Sequence, residues 1–119
     1  WESVLAGGSI NTISPNAPFS TLSGGRENRI GGGASYSMIP GGALNEVNAF
    51  LGFAAGNRAK ANHPGAFVWA DSQNADFAST AVNQFSVRAG GGAVFSMGNA
   101  GFQVQGSALI SKNATTFAG

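Results

Sequence analysis

The residues of this chain that have the types needed for chemistry are few and scattered. His63 is the single histidine. With Asp71 or Asp76 to orient it and Ser72 or Ser79 as nucleophile, it has the membership of a hydrolytic triad. The surroundings argue against one. Ser72 stands in Ala70-Asp71-Ser72, without the Gly-x-Ser-x-Gly elbow that lifts a nucleophile onto an exposed turn. His63 runs into Pro64-Gly65, which is turn sequence. The carboxylates of the repeats, Glu27, Glu46, Asp71 and Asp76, form no evident pair at the roughly 5–9 Å that glycoside cleavage uses. One His and two Asp have no recognisable metal-ligand spacing. A calcium-binding nonapeptide needs recurrent Gly-Gly-x-Gly-x-Asp, and Asp is missing from the coils.

Binding chemistry is equally sparse. The stretch GGRENRIGGG (Gly24 to Gly33) lacks the Gly-Lys-Ser/Thr ending of a phosphate loop. Arg26, Arg29, Arg58 and Lys60 are interleaved with Glu27 and Glu46, the pattern of a solvated face. Trp69 offers a flat face to a sugar ring, yet it stands on an apolar strand, where a large aromatic serves core or subunit contact. Asn113-Ala114-Thr115 has the form of a glycosylation sequon, which three residues reach readily by chance. The expectation is therefore no catalytic residue, no cofactor and no metal.

Composition narrows the class. There are 119 residues, 19 of them Gly, with 43% apolar content and a net charge of +1. Disorder goes with low hydrophobicity and high net charge, and neither holds. Gly does not fall at every third position, so collagen is excluded. The near-neutral charge gives no electrostatic case for nucleic acid or an anionic membrane. Only 9% of residues are charged, against roughly 25% in an ordinary soluble domain. Such a chain hides surface in a partner or in copies of itself. No Cys is present, so disulfides and thiolate metal sites are out. No apolar run approaches ~20 residues, so no membrane insertion is expected. The chain starts at Trp1 rather than Met and reads as a piece of a longer protein.

What would position any site is a repeat. The blocks SVLAGG (from Ser3), STLSGG (from Ser20) and SMIPGG (from Ser37) are 17 residues apart, and GFAAGN (from Gly52) and FVWADS (from Phe67) follow at steps of 15. Asn11, Asn28 and Asn45 keep the 17-residue spacing, each followed two residues later by Ile13, Ile30 or Val47. This period is the contour of one β-solenoid coil, two short strands and two turns. Gly7-Gly8, Gly24-Gly25, Gly41-Gly42, Gly56-Asn57 and Asp71-Ser72 mark one set of corners. Ser14-Pro15-Asn16, Gly31-Gly32-Gly33, Asn48 and His63-Pro64-Gly65 mark the other. No helical periodicity is sustained. The fold class is all-β, a β-solenoid of 15–17-residue coils.

The two strands of a coil differ. In the second, Ile13, Ile30 and Val47 share a parity with Asn11, Asn28 and Asn45, which are expected to stack as a ladder of side-chain amides between coils. Thr12, Arg29 and Glu46 have the other parity and face water as the possible ligand-facing residues, with Arg29 and Glu46 as neighbours. The first strand is apolar on both parities and so is buried on both faces. Leu5, Leu22, Ile39, Phe53 and Trp69 are its expected core or subunit-interface residues. Residues 1–66 are the roll repeats. Residues 67–95, denser in aromatics, are the last coil and a capping β region. Residues 96–119 are a β tail, with alternation over Phe102 to Gln105, leading into a following domain.

The S-x-[LI]-x-G-G and G-x-A-A-G-N-x-A blocks resemble the head repeats of trimeric autotransporter adhesins. The segment from Gly52 through Ser72, with Asn83 to Gly91, is similar to bacterial and phage tail-fibre-like proteins that carry an intramolecular chaperone downstream. The resemblance covers roughly residues 3–95. It implies a left-handed parallel β-roll, three chains about one axis, on a cell surface or virion fibre. The expected function is a non-enzymatic fibre head that attaches to a host-cell glycan or receptor. The alternatives are a structural spacer without ligand and, behind it, a polysaccharide-acting solenoid enzyme.

Overall fold

A computed structural model describes residues 2–107. All regular structure in them is β, and all paired strands are parallel. The first sheet runs β1 (Val4–Leu5), β3 (Thr21–Leu22), β5 (Met38–Ile39), β8 (Phe53–Asn57), β10 (Phe67–Ala70), β12 (Phe85–Arg88), with β6 (Gly42–Ala43) also on β8. The second runs β2 (Thr12–Ile13), β4 (Arg29–Ile30), β7 (Glu46–Val47), β9 (Ala59–Ala61), β11 (Phe77–Ala78). The chain alternates between the sheets, so the fold is a parallel β-solenoid of about five turns.

The corners set the coil length. Ile10, Glu27, Leu44 and Arg58 have φ of 59°, 55°, 57° and 63°, and Phe19, Tyr36 and Leu51 have 60°, 57° and 56°. Each such left-handed residue costs on the order of 1–2 kcal/mol. The residue after it supplies the compensation. Asn28 Nδ2 donates to the Gly24 carbonyl (3.1 Å) in its own coil and to the Gly42 carbonyl (2.9 Å) in the next. Its Oδ1 accepts the Asn45 N–H at 3.0 Å. Asn11 and Asn45 repeat the arrangement, and the ladder ends where Asn45 Oδ1 accepts the Ala59 N–H. The expected ladder had amides bonding amides. The structure instead routes every rung through backbone, because the corner N–H and C=O groups have no strand partner of their own.

The opposite corner carries a second ladder, made of serine. Ser20 Oγ donates to the Ala34 carbonyl (2.9 Å) and accepts the Ser37 N–H (3.2 Å). Ser3 and Ser37 occupy the equivalent places. Gly25 and Gly42 are needed for a different reason. Their φ values are 87° and 94°, and a Cβ at either would strike the backbone of the next coil.

Inside, Leu22, Ile30, Ile39, Val47, Ala54, Ala59, Ala61, Val68 and Ala70 are fully buried. Side chains shrink from Leu and Ile in the early coils to Ala in the fourth. Leu5 lies over Leu22 in register, yet it is 48% exposed because no coil stacks on its far side among the described residues. The fifth block is shifted from its expected alignment. Phe67 pairs with Phe53 and Val68 with Ala54, a step of 14 residues. Val68, not Trp69, continues the inward row of Leu22 and Ile39. Trp69 and Phe53 take the outer parity of the first sheet, beside Ala55 and Met38. The shift arises because coils one to three place two residues between the inward side chain and the corner glycine (Ala6-Gly7, Ser23-Gly24, Pro40-Gly41). The fourth coil places one, Ala55, and its strand runs unbroken to Asn57.

Strand structure continues to Arg88. Residues 89–107, including Phe102 to Gln105, carry no strand; the rest of the expected β tail, residues 108–119, lies outside the described residues.

Replacing Asn28 by Ala should destabilise each chain by about 1–3 kcal/mol, since it leaves the buried Asn45 N–H without an acceptor. Replacing the half-exposed Asn11 should cost less. Thermal melts of the two variants test the order; equal melting would place the ladder in solvent.

Candidate functional site

The residues with catalytic types are brought to the later coils, but not to one another. Strands β9 and β11 bring Asn62-His63 against Ser79. His63 Nδ1 lies 2.8 Å from Ser79 Oγ, and the Asn62 N–H donates to that same oxygen at 3.0 Å. Ser79 is 4% exposed. No carboxylate bonds His63. Asp76 pairs with Arg58 Nε at 2.8 Å, and Asp71 is held elsewhere. A serine under a backbone amide, without an oriented acid behind its histidine, lacks the roles a triad requires. Its hydroxyl does for the Asn62 corner what Ser20 and Ser37 do for theirs.

Asp71 is the most heavily engaged carboxylate. Gly90 donates its N–H to Oδ2 at 2.6 Å, Gln73 Nε2 donates to Oδ2 at 3.0 Å, and Arg88 Nε donates to Oδ1 at 2.8 Å. These donors, the Gly90 amide foremost, hold the Asp71 carboxyl well below the usual carboxylate range against a smaller opposing effect of desolvation. Arg88 spends its remaining donors on the carbonyls of Ala75 (2.6 Å), Asn57 (3.2 Å), Gln73 (3.1 Å) and Asp71 (3.3 Å). Its guanidinium also sits 5.6 Å from the Phe77 ring centroid. Asp71 and Arg88 thus tie the strand exit, the corner and the turn at Gly90 into one knot.

The other carboxylates are paired too. Glu27 bonds Arg26 at 2.8 Å, and Glu46 bonds Lys60 at 3.2 Å. No two acids converge, and no group of three potential metal ligands occurs among the described residues. The outward row Thr12, Arg29, Glu46 is in register and continues to Lys60. Arg29 and Glu46 are neighbours there but are not an ion pair. Lys60 takes the carboxylate, and Arg29 donates to Asn48 Oδ1 at 3.0 Å.

Two surface features remain. One is an open groove lined by Gly56, Asn57, Trp69, Ala70, Asp71 and Ser72. Its polar groups are largely occupied, since Asn57 Nδ2 donates to the Gln73 carbonyl and Asp71 serves the knot. The other is apolar and far larger. On the outer face of the first sheet, Phe53 stacks on Phe67 (4.4 Å between centroids, 5°) and Phe67 on Phe85 (4.8 Å, 17°). At the corner before this sheet, Phe19 stacks on Tyr36 (5.0 Å), and Tyr36 meets Phe50 edge-on (6.0 Å).

The sequence reading passed over the serine ladder, Arg88 and the corner aromatics. Ser3, Ser20 and Ser37 head the repeated blocks, and Phe19 and Tyr36 are 17 residues apart, so both rows carried the same period as the Asn residues. Arg88 carries no periodic signal.

Stability should fall between about pH 5 and pH 2 in part through Asp71. Its folded pKa is depressed, so its contribution is complete above the unfolded value near 3.8 and is lost as acid protonates the folded form. Denaturant unfolding of the wild type and of Asp71→Asn at pH 7 and pH 3 should show a smaller pH difference in the variant. Equal differences would deny Asp71 this role.

Comparison with protein families, with curated proteins and with solved structures finds no match, so the repeat, the two ladders and the apolar face are what the chain itself offers for judging its function.

Proposed function

We propose that this chain is the non-enzymatic head of a trimeric fibre, extracellular on a cell surface or virion. In this reading it is a left-handed parallel roll whose three copies hold a rigid surface for attachment to a host cell or glycan. The observation that carries it is the outer face of the first sheet. Phe85 is 69% exposed there, Met38 41% and Trp69 39%, beside the stacked Phe53 and Phe67. A monomeric protein rarely leaves so continuous an apolar face in water. The low charge of the chain points the same way. Residues 67–95 close the roll and lead toward a following domain.

With the first sheet turned to its copies, the second sheet faces outward. Thr12, Arg29, Glu46 and Lys60 are then the accessible row, repeated three times about the axis. Linked weak contacts gain on the order of 10²–10⁴ in avidity, so each need only be shallow. The second reading, a spacer without ligand, is favoured by the polar groups around Trp69, which are already bonded within the chain. A polysaccharide-acting enzyme is disfavoured, because its acids would have to leave their cationic partners.

Light scattering at micromolar concentration should give three times the chain mass, and a stable monomer would sink the proposal. Ile39→Asp should abolish folding, because it buries an unpaired charge. Trp69→Asp should leave a folded monomer with unchanged circular dichroism. A glycan array should show weak binding and no turnover; turnover lost in His63→Ala would promote the enzyme reading.

A further inference from the structure

The large rings are distributed by level. Five equivalent corner positions precede the first sheet: Phe19, Tyr36, Leu51, Gly65 and Asn83. All have positive φ, and each of the last four donates its N–H to the carbonyl preceding the corner residue one coil back. In the same coils, the outer face of the first sheet presents Val4, Thr21, Met38, Phe53 and Phe67. In the first two coils the ring is on the corner and the sheet residue is small. In the third coil both are aliphatic. In the fourth and fifth the ring is on the sheet, and the corner is Gly or Asn. Neither row contains a charge.

We infer that the corner row of one copy packs against the outer sheet face of the next, parallel and in register. This rests on the trimeric reading above and specifies which two surfaces meet. In that arrangement every level places one large residue against one small one, which is the condition for close packing at an interface core. An antiparallel arrangement would set Tyr36 and Phe19 against Phe53 and Phe67 at one end and leave Val4 and Thr21 facing Asn83 and Gly65 at the other. A contact between two different surfaces is heterologous, so it closes as a ring of copies and not as a two-fold dimer. The repeat itself supports a copy as the occupant. Rings spaced 4.4–5.0 Å along a rigid row are matched over several coils by a surface of the same spacing, and this chain has two. The area agrees in size. The chain exposes 7622 Å², whereas a compact monomer of its mass exposes about 6,000 Å². The excess is of the order that two contacts of ~800 Å² remove, with a share lying on the strandless segment after Arg88.

The test is a size swap at one level, read by the concentration at which the assembly dissociates. Tyr36→Ala should raise it about tenfold, and adding Thr21→Phe to the same chain should restore most of the loss, since the ring returns from the opposite side. Thr21→Phe alone should weaken assembly by crowding Tyr36. If Tyr36→Ala assembles as the wild type does, or if Thr21→Phe fails to rescue it, the pairing of surfaces is overturned while the trimer stands. If the wild type itself is a monomer, the trimeric reading fails first. Cysteine cross-linking gives an independent readout, because the chain has no Cys. Co-expressed Thr21→Cys and Tyr36→Cys chains should join to each other under mild oxidation. Joining of Thr21→Cys to itself in preference would mean that sheet faces meet face to face, which overturns the inference.

Discussion

Everything in this fold follows from the need to turn a corner every few residues and to satisfy the backbone there. A two-residue strand has almost no ladder of its own, and a left-handed corner points N–H and C=O groups along the roll axis. Asparagine at one corner and serine at the other answer both problems. Each side chain fixes the turn in its own coil and the height of the next coil. The strands are then registered by their corners, which is why segments as short as Arg29–Ile30 pair without a long run of backbone bonds. The thinness of the core is a further consequence. With corners this close, each sheet contributes one or two inward side chains per coil, and Leu gives way to Ala where the coils shorten.

A thin core cannot bury both faces of the first strand. Its outer parity, Met38, Phe53, Phe67 and Phe85, is as apolar as many interiors. The charged residues stand elsewhere and are largely matched in pairs: Glu46 with Lys60, Asp76 with Arg58, Asp71 with Arg88. The Asp71–Arg88 knot stands where strand order ends. Arg88 there binds four carbonyls that have lost their ladder partners, which is corner chemistry performed by a longer side chain.

Much of this was legible in the sequence, and the failures have physical causes. The 17-residue spacing of Asn11, Asn28 and Asn45 locates one corner and fixes the parity of Ile13, Ile30 and Val47. It does not say that the amides bond backbone, because a ladder of either kind has the same period. The alignment slipped at Trp69, where Asp71-Ser72 stood in for a glycine corner. The residue lost from the fourth coil came out of the strand, at Ala55, and a period alone does not tell a shorter strand from a shorter turn. His63 and Ser79 do meet, as their types allowed. The amide of Asn62 decides what the contact is for. Arg88 was illegible because its partners are carbonyls of Asn57, Asp71, Gln73 and Ala75, which any residue provides.

The direction of the hydrogen bonds has a mechanical meaning. The Val4, Thr21, Met38, Phe53 and Phe67 amides donate to Ser20, Ser37, Gly52, Ala66 and Gln84 of the following coil, so these bonds run along the roll. Tension applied lengthwise loads them in series, one coil after another, and a lone roll peels open like a spring. Force shared through packed side faces is resisted in shear across all coils at once. A filament built from such rolls therefore draws its tensile strength from the contacts between its chains and not from any one chain.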